Sequence, residues 1–279
     1  MKRWLITGVG SGLGAALARA ALARGDTVAG TARDATAVAD FEALAPGRAF
    51  GFRLDLRDEA AIATVGQAAE AAVGGVDILV NNAGYGLVGA VEEASGPESR
   101  DQFAVNVFAP LAMMRAVLPF MRARRAGHIV NITSVSGLAT WAGTGVYCAS
   151  KWALEAIGQT LRDEVAELGV KVTNVAPGGM RTDYAGRSLV ASKSRIADYD
   201  GTARQAQIIL AAHAGQEAGD PTRVAAAILA AVDAENPPIH LLLGADALHY
   251  AEAQIAALQK DIEAWKTVTL STEFADDRP

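Results

Sequence analysis

The sequence predicts one α/β domain, a doubly wound sheet of about seven parallel strands flanked by helices and followed by a C-terminal helical extension. Short apolar runs alternate with Ala-rich helical stretches, as in strands that feed crossover helices. The runs are almost continuously apolar, which is typical of strands buried on both faces. No linker or charge block interrupts the pattern after residue 150, so we predict a single domain over residues 1–279.

The individual elements follow from this alternation. We predict strands near residues 3–7, 27–32, 49–54, 77–81, 127–134, 170–176 and 239–243, with helices between them. Residues 181–214 lack regular periodicity, which is typical of functional or mobile segments, and we expect a substrate lid there. Apolar residues recur at helical spacing over about 246–266, which predicts an amphipathic closing helix; they are Ala247, Ala251, Ile255, Leu258, Ile262 and Trp265.

The composition excludes several classes of protein. With 31 acidic against 25 basic residues the net charge is −6, so the chain lacks the basic surface that nucleic acid requires. No window approaches the roughly 20 apolar residues of a membrane span, and the first apolar run is too short for a signal peptide. The only cysteine, Cys148, permits no internal disulfide. We expect a soluble cytoplasmic protein with neither nucleic-acid nor membrane partners.

No catalytic metal is expected either. The four histidines show no metal-ligand spacing among themselves or with the cysteine; they are His128, His213, His240 and His249.

A glycine-rich segment follows the first strand directly and opens a helix. Glycine lets the backbone turn tightly and approach a pyrophosphate, and the N-terminus of the helix offers N–H groups and partial positive charge to it. A glycine cluster alone is often a plain turn, but the strand before it and the helix after it favour a Rossmann-type dinucleotide site. The predicted contacts are Thr7, Gly8, Gly10, Ser11, Gly12, Leu13 and Gly14.

The end of the second strand selects the dinucleotide. An acidic side chain there binds the ribose 2′-hydroxyl of NAD, whereas a cationic one accepts the 2′-phosphate of NADP. The strand ends at Ala32 and Arg33 comes next, with a guanidinium suited to phosphate, so NADP(H) is favoured over NAD(H). Two alternatives stay open: Asp34 binds the ribose if the register is shifted, or Arg33 is only a solvated residue at a helix start.

Tyr147 and Lys151 stand four residues apart at the start of a predicted helix, so they share one helix face. A free tyrosine has a pKa of about 10, and lowering it by two to three units needs roughly 3 to 4 kcal/mol of preferential stabilisation of the phenolate. A neighbouring ammonium and a positively charged nicotinamide ring can supply that energy, which suits Tyr147 to general acid/base catalysis. By itself, such a pair is common on protein surfaces. Ser134, at the carboxyl end of a predicted strand, adds a hydroxyl directed into the ligand crevice.

Together these segments resemble the short-chain dehydrogenase/reductase family, and the resemblance covers essentially the whole chain, weakening only after about residue 180. It rests on the loop with Thr7, Gly8, Gly12 and Gly14, on Asn81-Asn82-Ala83-Gly84, and on Tyr147-x-x-x-Lys151. The resemblance implies an NAD(P)-dependent oxidoreductase, similar to ketone reductases related to hydroxysteroid dehydrogenases.

The resemblance also assigns roles to individual residues. In the implied catalytic tetrad, Asn106 holds a relay water through its backbone and Ser134 hydrogen-bonds the substrate oxygen. Tyr147 exchanges the proton, while Lys151 binds the nicotinamide ribose and keeps Tyr147 acidic. Further cofactor contacts are implied for Asp55, Leu56, Asn82, Ala83, Gly84, Pro177, Gly178 and Thr182. The Pro-Gly-Gly segment is equally compatible with a simple turn.

The substrate is expected to be a carbonyl compound or secondary alcohol of medium size and low polarity, since ligand pockets are mostly apolar. In the family, three segments contact the substrate. In this chain those segments contain Tyr85, Leu87, Leu138, Trp141, Met180 and Tyr184.

By the same resemblance, a homodimer is expected through helices at about 98–125 and 148–168. A tetramer is the alternative, and the C-terminal helix could cover the surface that family members use to form it. A non-catalytic dinucleotide-binding regulator and a sugar-nucleotide epimerase are disfavoured by the complete tetrad and the loop spacing.

Overall fold

The computed structural model describes residues 1–182, 188–212 and 214–274, and a parallel sheet of seven strands lies at its centre. The strands are β1 (Arg3–Thr7), β2 (Thr27–Ala32), β3 (Ala49–Arg53), β4 (Ile78–Asn81), β6 (Gly127–Ile132), β7 (Val170–Pro177) and β9 (His240–Leu243). They lie in the order β3-β2-β1-β4-β6-β7-β9, and every neighbouring pair is parallel. The predicted fold class is therefore confirmed.

Helices cover both faces of this sheet. They are α1 (Gly12–Ala23), α2 (Ala35–Ala43), α3 (Glu59–Val73), α4 (Gly96–Phe103), α5 (Ala109–Arg124), α6 (Gly145–Val165), α7 (Ala203–Ala212), α8 (Pro221–Asp233) and α9 (Ala245–Leu270). Successive strand residues point to opposite faces, so Trp4 packs with α1 and α8 while its neighbour Leu5 packs with α3, α5 and α6. These two apolar clusters explain why the strands are almost continuously apolar.

A small second sheet, which the sequence analysis missed, ties the expected lid to the domain. It pairs β5 (Gly86–Val88) with β8 (Leu189–Ala191). Next to it the buried carboxylate of Glu93 accepts hydrogen bonds from the backbone N–H groups of Ala90 and Ile196 and pairs with Arg204 at 3.2 Å. The described part of the 181–214 segment is therefore anchored at β8 and at the start of α7.

The helix expected over about 98–125 is interrupted. A π-helical turn, Ala104–Phe108, separates α4 from α5. Among the described residues, the run Gly96–Arg124 is the one helix long and apolar enough to cross a membrane, with a mean hydropathy of 1.6 and 44% of the tested window buried in the domain. Helices of a protein core reach the same length and hydropathy.

The C-terminal helix is longer than predicted and is not a closing helix. Only its first two turns pack on the domain, through Ala247 and Ala251. The large apolar residues beyond them, Ile255, Leu258, Ile262 and Trp265, remain 57 to 65% exposed. The periodicity predicts the apolar face of this helix correctly. The rest of the domain does not reach the outer part of the helix, so none of the described residues covers that part of the apolar face.

Candidate active site

The glycine-rich loop joins β1 to α1 with the backbone held unusually close to its surroundings. Gly8 and Gly12 have φ values of +77° and +57°, in the left-handed region that favours glycine. A Cβ at Gly14 would lie 2.2 Å from the Gly8 carbonyl oxygen, so only glycine fits there. Ser11 is the N-cap of α1 but makes no side-chain capping bond. The start of α1 is thus available to an anion, and Leu13 offers only its backbone because its side chain lies in the core.

Side-chain hydrogen bonds join this loop to the segment after β4. The Thr7 hydroxyl accepts hydrogen bonds from the backbone N–H groups of Asn82 (2.9 Å) and Ala83 (3.0 Å). The Asn82 side-chain amide donates to the Thr7 carbonyl at 2.8 Å. Strands β1 and β4 are neighbours where the strand order reverses, which is where open α/β sheets bind ligands. The two segments therefore form one wall of that crevice.

The outer end of the crevice holds the residues expected to select the dinucleotide. Strand β2 ends at Ala32, as predicted, and Arg33 is exposed just beyond it. A Cβ at Gly10 would lie 3.9 Å from the Ala32 Cβ, so the glycine loop adjoins this strand end. Asp34 is the N-cap of α2, because its carboxylate accepts a hydrogen bond from the Thr36 N–H at 2.7 Å. That bond ties the Asp34 carboxylate to the start of α2, whereas the exposed Arg33 directly follows the end of β2.

Asp55 and Leu56, both expected near the adenine, follow β3. The Asp55 carboxylate accepts hydrogen bonds from the side chain and backbone of Arg57, and these bonds, aided by the charge of Arg33, lower its pKa to about 2. Leu56 is partly buried against the apolar cluster beneath α3. Asp55 is therefore a fixed anion beside Arg33.

Tyr147 and Lys151 lie on the first turns of α6, as predicted. The Lys151 Nζ atom is 5.9 Å from the centroid of the Tyr147 ring and donates a hydrogen bond to the Ile132 carbonyl at 2.9 Å. Burial lowers the pKa of Lys151 to about 8, and the negative charge of Glu155 opposes this shift. At neutral pH the ammonium form still predominates beside the phenol.

Asn106 and Ser134 lie near Tyr147 and Lys151 but come from two other segments, the π-helical turn and the end of β6. Asn106 sits in the π-helical turn and its amide donates to the Tyr85 carbonyl at 2.9 Å and to Ser150 Oγ at 3.1 Å. A Cβ at Gly84 would lie 3.0 Å from Asn106 Oδ1 and 3.6 Å from Lys151 Nζ, so these groups converge. π-Helical turns occur frequently at functional sites.

Ser134 follows the end of β6 and starts a 3₁₀ turn, Val135–Gly137, that packs against α6. Its Oγ accepts a hydrogen bond from the Ser136 N–H at 3.0 Å, which leaves the hydroxyl proton able to donate. The four residues of the expected tetrad thus come from the π-helical turn, the end of β6 and α6.

The Pro177–Thr182 segment lies opposite the glycine loop. A Cβ at Gly12 would lie 3.7 Å from the Thr182 Cβ. The Gly178 N–H donates to the Leu243 carbonyl at 3.0 Å, and the Gly179 N–H donates to Asp246 Oδ2 at 2.7 Å. Asp246, at the start of α9, was missed by the sequence analysis, and its carboxylate joins this segment to α9.

The expected substrate residues are spread over three segments. Tyr85 is partly buried, and burial together with the charge of Asp101 raises the pKa of its phenol. Trp141 packs edge-on against Tyr250 of α9, with ring centroids 5.2 Å apart. Met180 is bridged to Gly219 and packs partly on the core near α1 and α8. Tyr184 and the histidine His213 lie outside the described residues.

A row of polar side chains, which the sequence analysis did not identify as a row, crosses the sheet behind the site; its three asparagines are buried and its histidine is partly exposed. Asn81, Asn131, Asn174 and His240 occupy matched register positions on β4, β6, β7 and β9. The Asn81 amide donates to Asn131 Oδ1 at 2.9 Å, and the Asn131 amide donates to Asn174 Oδ1 at 3.0 Å. Each strand contributes one residue to the row. The linear sequence does not reveal the row, because its members become neighbours only when the strands pair in register.

Within residues 1–182, 188–212 and 214–274 no three His, Cys, Asp or Glu side chains are placed to hold a metal ion. His128 instead faces Thr173 Oγ1 at 3.0 Å inside the protein, and burial lowers its pKa to about 4. Cys148 is buried beside Thr144, which agrees with a packing role.

Comparison with known proteins places this fold and crevice among nicotinamide-dependent oxidoreductases. The model of the short chain dehydrogenase family matches residues 2–191. "Oxidoreductase BOA17" of Botryotinia fuckeliana (strain B05.10) is 33% identical over 97% of this chain and 99% of its own length. A short-chain dehydrogenase from Streptomyces avermitilis superposes with a TM-score of 0.92 at 40% identity, covering 98% of this chain and all of that one. A family member from Burkholderia phymatum, solved in complex with NAD, has a TM-score of 0.82 at 27% identity, covering 94% of each chain.

The fold and the crevice at the β1–β4 switch point define a Rossmann-type oxidoreductase that uses a nicotinamide dinucleotide. The chain belongs to the short-chain dehydrogenase/reductase family.

Proposed function

We propose that this enzyme is an NADP(H)-dependent oxidoreductase acting on a carbonyl or secondary alcohol of a medium-sized apolar substrate, with Tyr147 as the general acid/base. The observation that carries the proposal is the convergence of Tyr147, Lys151 and Asn106 next to the Gly84 backbone, with Ser134 at the adjoining end of β6. The four residues of the tetrad and the crevice between β1 and β4 lie at the same end of the sheet.

The residues present fit a dinucleotide. The uncapped start of α1 and its close-packed glycines suit the pyrophosphate, and Arg33 suits a 2′-phosphate. Gly178 and Thr182, opposite the glycine loop, would hold the carboxamide end. When bound, the cofactor supplies the hydride in reduction or accepts it in oxidation.

The proton chemistry belongs to the chain's own side chains. In reduction the Tyr147 hydroxyl donates its proton to the substrate oxygen, which the Ser134 hydroxyl positions by a hydrogen bond. The Lys151 ammonium stabilises the resulting phenolate, and a water held at the Asn106 backbone returns a proton to it. In oxidation Tyr147 takes the alcohol proton by the same path reversed.

The first test replaces Tyr147 by Phe. The variant removes only the hydroxyl, so kcat for ketone reduction with NADPH is expected to fall by about 10²- to 10⁴-fold, the usual contribution of a general acid. Cofactor affinity, followed by NADPH fluorescence, should stay within about twofold of wild type because the phenol is not the main binding group. Retention of more than a tenth of the wild-type kcat in the variant contradicts the proposed role.

The choice of NADP(H) has its own test, because the Burkholderia phymatum relative was solved with NAD. The Arg33→Ala variant should lose affinity for NADPH by at least about tenfold while its affinity for NADH is unchanged, since one charge-assisted phosphate contact contributes about 1.5 to 3 kcal/mol. Asp34→Asn serves as the matched control and should leave both affinities unchanged. Tighter NADH binding by the wild type would instead make the enzyme an NAD(H)-dependent alcohol dehydrogenase of the same mechanism.

We also propose a cytoplasmic homodimer that forms through α5 and α6. The groove between these helices is lined by apolar side chains, of which Pro119 is exposed, Leu118 is partly exposed, and Leu161 and Val165 are buried. Charges of both signs border it, at Arg115, Arg122 and Glu164. A two-fold axis can bring such a surface against itself, because opposite charges then meet around an apolar centre.

A further inference from the structure

A buried carboxylate lies directly behind the site. Tyr147, Lys151 and Glu155 stand four residues apart along α6 and therefore share one helix face. Glu155 is only 5% exposed. An ionised carboxylate at such depth is stable only when hydrogen-bonded and balanced by positive charge.

Three side chains from three different segments hold this carboxylate. Thr133, adjacent to Ser134, donates its hydroxyl to Glu155 Oε1 at 2.5 Å. Asn174 of β7 donates its amide to Glu155 Oε2 at 2.8 Å, and His240 Nδ1 of β9 approaches the same oxygen at 3.0 Å. The 3₁₀ turn after Ser134 is equally close, because a Cβ at Gly137 would lie 2.9 Å from the Glu155 Cγ.

We propose that Glu155 is a positioning residue of the catalytic site. Its carboxylate places a negative charge one helical turn from the Lys151 ammonium and, through Thr133, fixes the strand end that presents Ser134, although it reaches neither substrate nor cofactor. The proposal rests on the proposed roles of Lys151 and Tyr147, and it adds the counter-charge that a buried ammonium needs.

Glu155 is the carboxylate one helical turn from Lys151, and its charge raises the pKa of Lys151 against the effect of burial. Tyr147 faces Lys151 from the crevice side, while Glu155 is the charge that acts on it from the interior. Three further charged or titratable residues nearby are engaged with other partners. In α4, Glu98 binds Ser95 and the Lys193 backbone; in β7, Lys171 binds backbone carbonyls at residues 234 and 235; and in β9, His240 faces Glu155 itself.

The direct test follows the ionisation of Lys151 in the cofactor-free protein. The chain has six lysines, so ¹³C-lysine labelling gives a small set of NMR signals, and Lys151→Met assigns the one of interest. The wild-type Lys151 signal should titrate with a midpoint near 8. In Glu155→Gln, which keeps shape but removes charge, the midpoint should fall by about one unit, the lower end of the effect of a nearby opposite charge.

Thr133→Val is the matched control, because it removes one hydrogen bond to Glu155 and leaves the charge in place. Its Lys151 midpoint should stay close to that of the wild type. An unchanged midpoint in Glu155→Gln, or an equal fall in Thr133→Val, overturns the proposal. If Glu155→Gln folds poorly, the free energy of unfolding is compared in two backgrounds. The substitution should destabilise the Lys151→Met protein less than wild type, because the charge that Glu155 balances is already absent there. Equal destabilisation in both backgrounds contradicts the proposal.

Activity gives a second readout that separates this inference from the proposed function. At pH 8 about half of a lysine of pKa 8 is charged, but only about one-tenth of a lysine of pKa 7. The kcat of Glu155→Gln relative to wild type should therefore drop about fivefold between pH 6 and pH 8. A pH-independent deficit means that Glu155 is only structural. Wild-type activity that survives Tyr147→Phe defeats the proposed function instead, whatever the Lys151 midpoint shows.

Discussion

At the scale of single residues, the candidate site contains side chains that burial holds away from their ordinary ionisation. Lys151 is 6% exposed, with its Nζ on the Ile132 carbonyl, and His128 is 4% exposed on the opposite face of β6 from the catalytic side. Each is harder to protonate in the folded chain than in the unfolded one, because water stabilises the charged form. Both residues therefore couple the stability of the fold to pH.

Lys151 should make the protein more stable as the pH rises from about 8 to about 10.5. In that window the unfolded chain binds a proton that the folded chain does not, since the folded pKa is about 8 and the ordinary value is 10.5. The free energy of unfolding should rise by about 3 kcal/mol across the window relative to Lys151→Met, which has no such group. Denaturant unfolding of both proteins at pH 7 and pH 10.5 measures the difference. If the free energy of unfolding changes equally with pH in both proteins, Lys151 does not have this effect.

His128 should destabilise the protein in acid. Its folded pKa is about 4 against an ordinary value of 6.5, so the unfolded chain binds the extra proton as the pH falls between these values. Wild type should lose about 3 kcal/mol more unfolding free energy than His128→Gln between pH 7 and pH 4. His249→Gln is the control, because His249 is an exposed side chain of α9, and this variant should behave like wild type.

At the scale of secondary-structure elements, the sequence allows prediction of those elements whose residues are buried in a regular pattern. The seven central strands are near-continuous apolar runs, so their order along the chain and their approximate bounds are confirmed. Strands β5 and β8 are three residues each and carry no periodicity long enough to recognise. The π-helical turn at Asn106 was missed because its different hydrogen bonding leaves the composition of a helix unchanged.

The C-terminal helix shows a second limit. Periodicity identifies which face of α9 is apolar, but whether that face is covered depends on the shape of the rest of the molecule. Residues beyond about 252 extend roughly 28 Å from the last packed turn, at 1.5 Å per residue. A chain ending at residue 252 should therefore keep the thermal midpoint of the full chain within about 2 °C, as measured by circular dichroism at low protein concentration, because it still contains Ala247, Ala251 and the Asp246 contact. A fall of more than about 5 °C would show that the outer helix stabilises the domain.

At the scale of the whole molecule, the site is assembled from segments far apart in sequence, and this limits what the sequence can reveal. Motifs such as the glycine loop and the Tyr147–Lys151 pair were recognisable because their members are close along the chain. Asp246 and His240 were not, since each acts on residues more than 60 positions away. Glu155 was recognisable in principle, because it repeats the four-residue step from Tyr147 to Lys151.

The proposed dimer also belongs to this scale. Leu118→Arg places a charge in the middle of the groove between α5 and α6. In a two-fold dimer both subunits would bury this arginine in the interface, which opposes association. Sedimentation velocity should show wild type at the mass of a dimer and the variant shifted to monomer, with an unchanged circular dichroism spectrum. Leu258→Arg, on the outer part of α9, is the control; a loss of the dimer in that variant alone would move the interface to α9.

The asparagine row across β4, β6 and β7 carries a consequence for how sequences of this kind can diverge. Asn131, in the middle of the row, is paired on both sides, so an apolar replacement there removes the hydrogen bonds of the Asn81 amide and of Asn174 Oδ1 to it. Replacing neighbours together removes donor and acceptor at once. We therefore expect substitutions along the row to occur together at positions that are 43 and 50 residues apart in the chain, so that the buried asparagines change as one unit.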